Sequence, residues 1–465
     1  MTHTVIGGIG GLRTGMEGPV VVPGDADFDD RRRVWNADID RRPAVIARCA
    51  SAADVATAIG FAREHDLEVA VRGGAHDASG LAACNDGMMI DLSMMNDVRV
   101  DPQARRAQVG GGALLADVDA ASQAHGLAMP AGLISHTGVG GLTLGGGMGW
   151  LTRQHGLSID NLLSAEVVTA DGRTQRASAT ENPDLFWGIR GGGGNFGVVT
   201  NFEFQLHQVD PTVQFGLFFW PIDQGPQALR LAAEIVGSLP DDVSAIIGAV
   251  NAPPAPFVPQ EHHFQPGYVL LLTGFGAARG HAELAEQIRR TLPPLFDLVT
   301  PMPYVAVQQL LDEANAWGVF AYDKGAYIED LTDDIIQLVT ERVAAKTSPM
   351  SALLLYRLDG AYTQAGDTDT AFSGGRSPRY AAFLIGVAPD AGALAGERTW
   401  VRGFWDALRP YAIAGGDGYV NGTADHSQDR VRGSYGPVKY QRLAGIKAQY
   451  DPENIFHLNA NIRPA

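Results

Sequence analysis

The sequence predicts an α+β fold built from two regions of different character. Three observations carry this. A strand–helix–strand pattern occupies the stretch "AVIARCASAADVATAIGFAREHDLEVAVRGG" (44–74). An Asp-Gly pair at 171–172 separates two alternating runs. Beyond about residue 208, apolar strand-like runs alternate with amphipathic helical runs. Strands interleaved with helices in the first region predict a small parallel sheet. The second predicts an antiparallel sheet covered by helices.

Taken in order, residues 1–40 read as an irregular arm ending in "RRRVWNADIDRR". "AVIARC" is a strand. Ser51 caps the helix that follows, with Asp54 in its first turn and Val55 and Ile59 on one face. "LEVAVRGG" and "GMMIDLSMM" are buried strands, and "RRAQVGGGALLADVDAASQAHG" passes from strand through glycines into helix. The run "LSAEVVTADGRTQRAS" reads as a hairpin turning at Asp171-Gly172. "GVVTNFEFQLHQV" is a long closing strand. In the second region "QFGLFFW", "SAIIGAV", "YVLLLTGFG", "SALLLYRL" and "AAFLIGV" are strands, while "HAELAEQIRRTL" and "TDDIIQLVTERVAAK" are helices. The final fifty or so residues read as a helix followed by a tail rich in asparagine.

Composition limits the function. The 465 residues are 45% hydrophobic and 19% charged, as in ordinary globular chains. With 35 basic and 52 acidic residues the net charge is −17, which repels nucleic-acid backbones and anionic lipid. No nucleic-acid or membrane partner is therefore expected, and no apolar run approaches the roughly 20 residues that span a bilayer. The N-terminal residues do not read as a signal peptide, so a cytoplasmic location is expected. Cys49 and Cys84 are the two cysteines, read as free thiols. Nothing has metal-ligand spacing, and no metal is expected. Oligomeric state is not legible.

Glycine is the outlier. The 57 glycines cluster in "VGGG" (109–112), "GVGGLTLGGGMG" (138–149) and "RGGGGNFG" (190–197), between apolar segments. Each costs roughly 0.5–1 kcal/mol in chain entropy relative to alanine, so close backbone approach to a ligand explains them better than a linker. Gly192, Gly194 and Gly197 match the letters of a dinucleotide fingerprint, but strand alternation follows where a helix is required. There is no P-loop, nucleophile elbow or zincin motif. In "VAVRGGAHDASG" (69–80), Gly73 and Gly74 permit an anion-binding nest with His76 inside it, and "SHTGVGG" (135–141) offers a second loop of backbone donors.

At these residues the sequence resembles a known family. "RGGAH", "GVGGLTLGGGMG", "GLSIDNL", "NPDLFWGIRGGGGNFGVVT" and "YDPENIFHLNANI" are similar to the berberine-bridge-enzyme-like branch of the vanillyl-alcohol-oxidase flavoproteins. The resemblance runs from about residue 30 to the C-terminus, and "RRVWNADIDRRPAVIARC" also resembles bacterial secondary-metabolism members. It implies a PCMH-type FAD-binding domain of two α/β subdomains (1–207), a substrate domain (208–414) and a C-terminal segment (415–465) that returns to the FAD domain. It further implies FAD bonded through the flavin 8α-methyl to His76. The other cofactor contacts implied are Arg72, Gly73, Gly74, Ala75, Asp77, Gly80, Gly132, Ser135, His136, Thr137, Gly140, Gly141, Gly146, Gly147, Val199, Tyr419, Asn421, Asn459 and Asn461. Bicovalent members carry a cysteine where this chain has Ile134, so attachment is expected through His76 alone.

The implied reaction is hydride transfer from a small hydroxylated organic substrate to flavin, with O2 as reoxidant, through which Val139 would leave a path. A flavin oxygenase, a dehydrogenase or a catalytically silent flavoprotein are the alternatives. Many relatives end Y-x-N-Y or Y-x-N-F, the last aromatic position serving as base where it is tyrosine. Here the motif is Tyr419-Val420-Asn421-Gly422. Alcohol oxidation needs a proton acceptor, so Tyr419 is the first candidate, with Tyr322 and Glu329 behind it and Tyr327 and Tyr356 also in the substrate domain. Arg376 is read as a substrate or cofactor contact, or a solvated loop residue.

Overall fold

The computed structural model describes residues 3–413 and 418–465. Three sheets organise it. The first has four strands in the order Val20–Val21, Val45–Arg48, Met88–Asp91, Val69–Arg72; the last three are parallel and the first is an antiparallel edge. The helix Ala52–Glu64 makes the crossover, and Ser51 caps it by accepting from the Asp54 backbone N–H. The second sheet has five antiparallel strands, with Val198–Gln205 at its centre between Arg106–Gly110 and Leu162–Val168. The Asp171-Gly172 hairpin joins Leu162–Val168 to Thr174–Ser178.

The third sheet has seven strands, all antiparallel, running from Phe296–Pro303 at one edge to Phe320–Ile328 at the other. Side chains alternate across a strand, and the sheet uses both faces. Ala326, Ile328, Leu353, Leu355, Ala382 and Leu384 pack under the helices Gly225–Gly237, Asp333–Val343 and Ala391–Leu408. The intervening residues of the same strands face the glycine-rich loops of the first region.

Several expectations need correction. The arm is not irregular throughout: His3–Gly15 is helical and Phe28–Arg31 forms one further turn. The edge strands Phe296–Pro303 and Phe320–Ile328 were not expected. The long closing strand stops at Gln205, and His207–Gln208 pairs instead with Leu127–Ala128. The C-terminal helix Gln428–Tyr450 breaks at Gly436, φ 69°, just before Pro437, because proline cannot donate to the preceding turn. The expected 414/415 domain boundary lies outside the described residues.

The C-terminal helix packs back on the first region. Val431, Tyr435 and Leu443 share a core with Phe186, Phe196 and Phe202. A buried ion pair pins this return: Lys447 Nζ meets Asp451 Oδ2 at 2.6 Å, with both side chains fully buried. Lys447 also donates to the carbonyls of Asn195 (2.7 Å) and Phe456 (2.8 Å), so it ties the tail to the third glycine cluster. Removing one partner of a buried pair leaves an uncompensated charge, at a cost of about 3–5 kcal/mol. Lys447→Met should therefore lower the urea midpoint by a stability loss of that order; an unchanged midpoint would contradict the role assigned to this pair.

Candidate active site

The strand Val69–Arg72 delivers the backbone to Gly73 and Gly74, and Ala75 then turns with φ 53°. That left-handed conformation is uncommon for a residue with a Cβ. Its carbonyl accepts from the Trp35 N–H (2.9 Å), which helps hold it. The turn directs His76 into a wall of aromatic rings. The Trp35 indole stacks on His76 at 4.6 Å and 19°, and the His136 ring lies 4.9 Å away on the second loop. His76 Nε2 and both ring nitrogens of His136 are buried with no hydrogen-bond partner. Burial, with His136 adding to it, depresses the His76 pKa from 6.5 to about 3, so the ring is neutral.

His76 faces a cavity of about 400 Å³ between the glycine loops and the seven-stranded sheet. Gly73, Gly74, Ala75 and Asp77 line it from the first loop; Gly132, Thr137, Gly140 and Gly141 line it from the second. Val199, Tyr419, Asn421 and Asn459 also reach it. At Gly141 and Gly194 a Cβ would meet nothing within 4 Å, so backbone there borders open space. Asn459 Oδ1 is buried without a partner.

Other expected contacts do not reach the cavity wall. Arg72 is spent on the carbonyls of Arg31 and Arg33. Gly80 packs against Ile39. Ser135 Oγ donates to Asp312 Oδ2 at 2.6 Å. Gly146 lies against Phe372 and Tyr419, and the Gly147 N–H donates to Tyr419 Oη at 2.8 Å. His136 stands behind His76, and the Asn461 carbonyl accepts from Gln428 Nε2 at 3.0 Å. Arg376 is neither solvated nor a cavity residue: it forms a two-pronged pair with Asp160 at 2.7 and 2.8 Å, deep in the protein.

The candidate bases sort by position and chemistry. Glu329 is exposed, and Tyr322 Oη accepts from Arg402 Nε at 3.2 Å outside the cavity. Both expectations are corrected, because those side chains never face the reacting space. Tyr419 does line it. Its oxygen accepts from Gly147 N and from Asn421 Nδ2 (3.1 Å), and burial raises its pKa to about 12. That phenol is held protonated, which suits a wall better than a base. Tyr356 also lines the cavity, its pKa raised by burial. Tyr327 is fully buried among core side chains.

Gly422 is occupied in a different sense. A Cβ there would lie 2.6 Å from Phe383 Cε1. The Phe383 ring is itself clamped edge-to-face by Tyr356 (4.9 Å) and Tyr419 (6.2 Å). The phenylalanine therefore fills the space next to the glycine. Residues that sequence reasoning missed are Trp35, Phe383, Asp323, His426 and Tyr435, all lining the cavity. Trp35 lies within the quoted "RRVWNADID", but no local spacing connects it to His76.

A neutral imidazole with an unpartnered Nε2, and glycine backbone facing the same cavity, fit a flavin dinucleotide: loops that can cover a diphosphate with backbone, and a nitrogen with nothing else to bond. Similarity to known proteins gives the class, a flavin-dependent oxidoreductase. Residues 43–178 match the model of the FAD binding domain, and 418–463 match that of berberine and berberine-like proteins. An FAD-linked oxidoreductase of Dictyostelium discoideum is 30% identical over 453 residues, covering 97% of this chain and 95% of the relative. The (R)-6-hydroxynicotine oxidase of Paenarthrobacter nicotinovorans is 30% identical over 463 residues, covering 97% of each. The crystal structure of 6-hydroxy-D-nicotine oxidase from Arthrobacter nicotinovorans superposes with a TM-score of 0.86 at 27% identity, covering 97% of this chain and 98% of that one. The chain belongs to the berberine-bridge-enzyme-like family of FAD-linked oxidoreductases.

Two outcomes test this geometry. His76 is neutral when folded, so the unfolded chain takes up the proton first. Its contribution to stability is intact above about pH 6.5 and is lost as pH falls toward 3. Between about pH 7 and pH 4.5, the urea midpoint of flavin-free protein should fall further in the wild type than in His76→Gln. Separately, Gly422→Ala should cost about 1–3 kcal/mol through overpacking. Phe383→Leu should recover part of that cost in the double variant, read as a coupling energy in a double-mutant cycle.

Proposed function

We propose that the protein carries one FAD bonded through its 8α-methyl to His76, and removes a hydride from a small hydroxylated organic molecule, with O2 as the reoxidant. The observation that carries this reading is His76 Nε2: buried, neutral and without a partner at the cavity wall. A protonated ring has no lone pair to offer, and depressing the pKa keeps that pair available at physiological pH. Bound FAD supplies a two-electron acceptor; the protein supplies binding, orientation and electrostatics.

The residues divide that work. Trp35 stacks on one side of His76 and fixes the plane of its ring. Ile134 lines the cavity where bicovalent relatives carry a second tether, so His76 acts alone. The glycine loops present backbone to a diphosphate, and among the described lining residues there is no lysine or arginine to do it instead. Tyr419, gripped by Gly147 and Asn421, holds the C-terminal segment over the second loop. The sheet supplies an apolar substrate wall of Leu354, Phe383 and Ile385, with the Tyr356 phenol beside it. The oxidase reading is supported by similarity to (R)-6-hydroxynicotine oxidase over the whole chain.

Mass spectrometry of the proteolytic peptide containing His76 tests the attachment. The peptide should carry the mass of FAD, and acid-precipitated protein should stay yellow. His76→Ala should bind flavin that acid releases. Retention of covalent flavin in that variant would refute the assignment, and absence of hydrogen peroxide during turnover would refute O2 as reoxidant.

A further inference from the structure

The sheet wall of the cavity has a consistent chemistry. In the pairing of Phe320–Ile328 with Arg379–Ala388, Asp323 stands opposite Ile385, and Gly325 opposite Phe383. In the next pairing Leu354 stands opposite Phe383. Leu354, Phe383 and Ile385 are all apolar and line the cavity, yet Asp323 lines it beside them. It is the one carboxylate this sheet contributes to the lining.

One of its carboxylate oxygens has no partner. Oδ1 is sealed from solvent and has no hydrogen-bond partner. The Asp323 backbone carbonyl accepts from the Ala424 N–H at 2.9 Å, which fixes the strand and leaves the side chain free. The adjacent cation does not help: Lys324 turns to the other face, 3.3 Å from Asp425 and 4.3 Å from the centre of the Trp405 ring. The other lining acid differs. Asp77 Oδ1 already accepts from Ser79 and from the Leu81 N–H. Burial, reinforced by Asp77, pushes the Asp323 pKa up to about 7, as befits a carboxyl that lacks a donor. A buried polar group left unpaired is costly, and a ligand that pairs it is favoured by the same amount.

We propose that Asp323 is the substrate-positioning residue: its carboxylate receives a hydrogen-bond donor carried by the substrate, an ammonium most strongly, and the surrounding wall turns away substrates bearing a carboxylate. The inference rests on the reading of this cavity as the flavin and substrate site. No lysine or arginine among the described lining residues offsets the two aspartates, so an anion would meet like charge in a medium that screens poorly. The expected class is a small molecule with a largely apolar body and one protonated amine or neutral donor group.

Three matched probes test it: phenethylamine, 2-phenylethanol and phenylacetate, which share a ring and differ in charge. The holoenzyme is first checked for flavin by its visible spectrum, then titrated with each probe near pH 8, following the flavin absorbance as a readout of binding. Phenethylamine should bind at least about tenfold more tightly than phenylacetate. In Asp323→Asn, with flavin content unchanged, the two affinities should come within about threefold, while Asp323→Glu should keep the preference for the amine. Flavin-loaded protein that binds the three equally, favours phenylacetate or responds to none overturns the inference. So does an Asp323→Asn variant that keeps the preference, or one that loses flavin, since the residue would then serve the cofactor. If Asp323→Asn does not fold, the ranking of the three probes on the unaltered holoenzyme decides alone. Protein devoid of flavin overturns the underlying reading instead, and the first spectrum shows it.

Discussion

Two backbones meet at Gly74 and Gly138 with no room for a side chain between them. A Cβ on Gly74 would lie 2.2 Å from the Gly138 nitrogen, and a Cβ on Gly138 would lie 2.2 Å from the Gly74 nitrogen. The two loops thus come from different sheets yet touch as peptide against peptide. Their distance sets everything around the candidate site. It brings the His76 and His136 rings within 4.9 Å of each other, and seals His76 from water. Desolvation, not a charged partner, is the leading cause of its depressed pKa. Any side chain at either glycine would pry the loops apart, admit water and return the imidazole toward its ordinary behaviour.

That contact also explains which parts of the site were legible. The loops 73–76 and 138–141 were visible as glycine clusters after apolar strands, because an entropic cost repeated so often requires a local reason. The parallel unit and the Asp171-Gly172 hairpin were visible because alternation and turn chemistry agree there. The N-terminal helix was not, since "HTVIGGIGGLRTG" holds five glycines and little helix propensity. The strand Phe296–Pro303 was hidden by two prolines, tolerable because it is an edge strand.

Tyr322 and Asp323 show what single-sequence reading cannot resolve. They are neighbours on one strand, and alternate positions face opposite sides of a sheet. A reader who identifies the strand but not its register has no way to choose between them. Tyr322 falls toward Arg398 and Arg402, and Asp323 toward the cavity. Arg376 was illegible for another reason: its partner Asp160 lies 216 residues away in the chain. Trp35 and His76 have the same difficulty. They stack across 41 positions of sequence, with only an arm of unremarkable composition between the tryptophan and the strand Val45–Arg48.

The missing aromatic at 422 bears on how this member of the family divides its polar work. Phe383 occupies the neighbouring volume, and the rings of Tyr356 and Tyr419 clamp it. A tyrosine at 422 and a phenylalanine at 383 compete for one space, so the pocket gains an apolar wall and loses a phenol. Tyr419 cannot replace it, since its oxygen is committed to Gly147 and Asn421. The side chains at 381, 383 and 385 on the central wall strand are alanine, phenylalanine and isoleucine. Polarity on that wall is therefore displaced by one strand, to Asp323 opposite Ile385. A single carboxylate set among Leu354, Phe383 and Ile385 is a stronger discriminator than several would be. With Oδ1 buried and unpartnered, the difference between a ligand that pairs it and one that does not includes the desolvation cost of that oxygen.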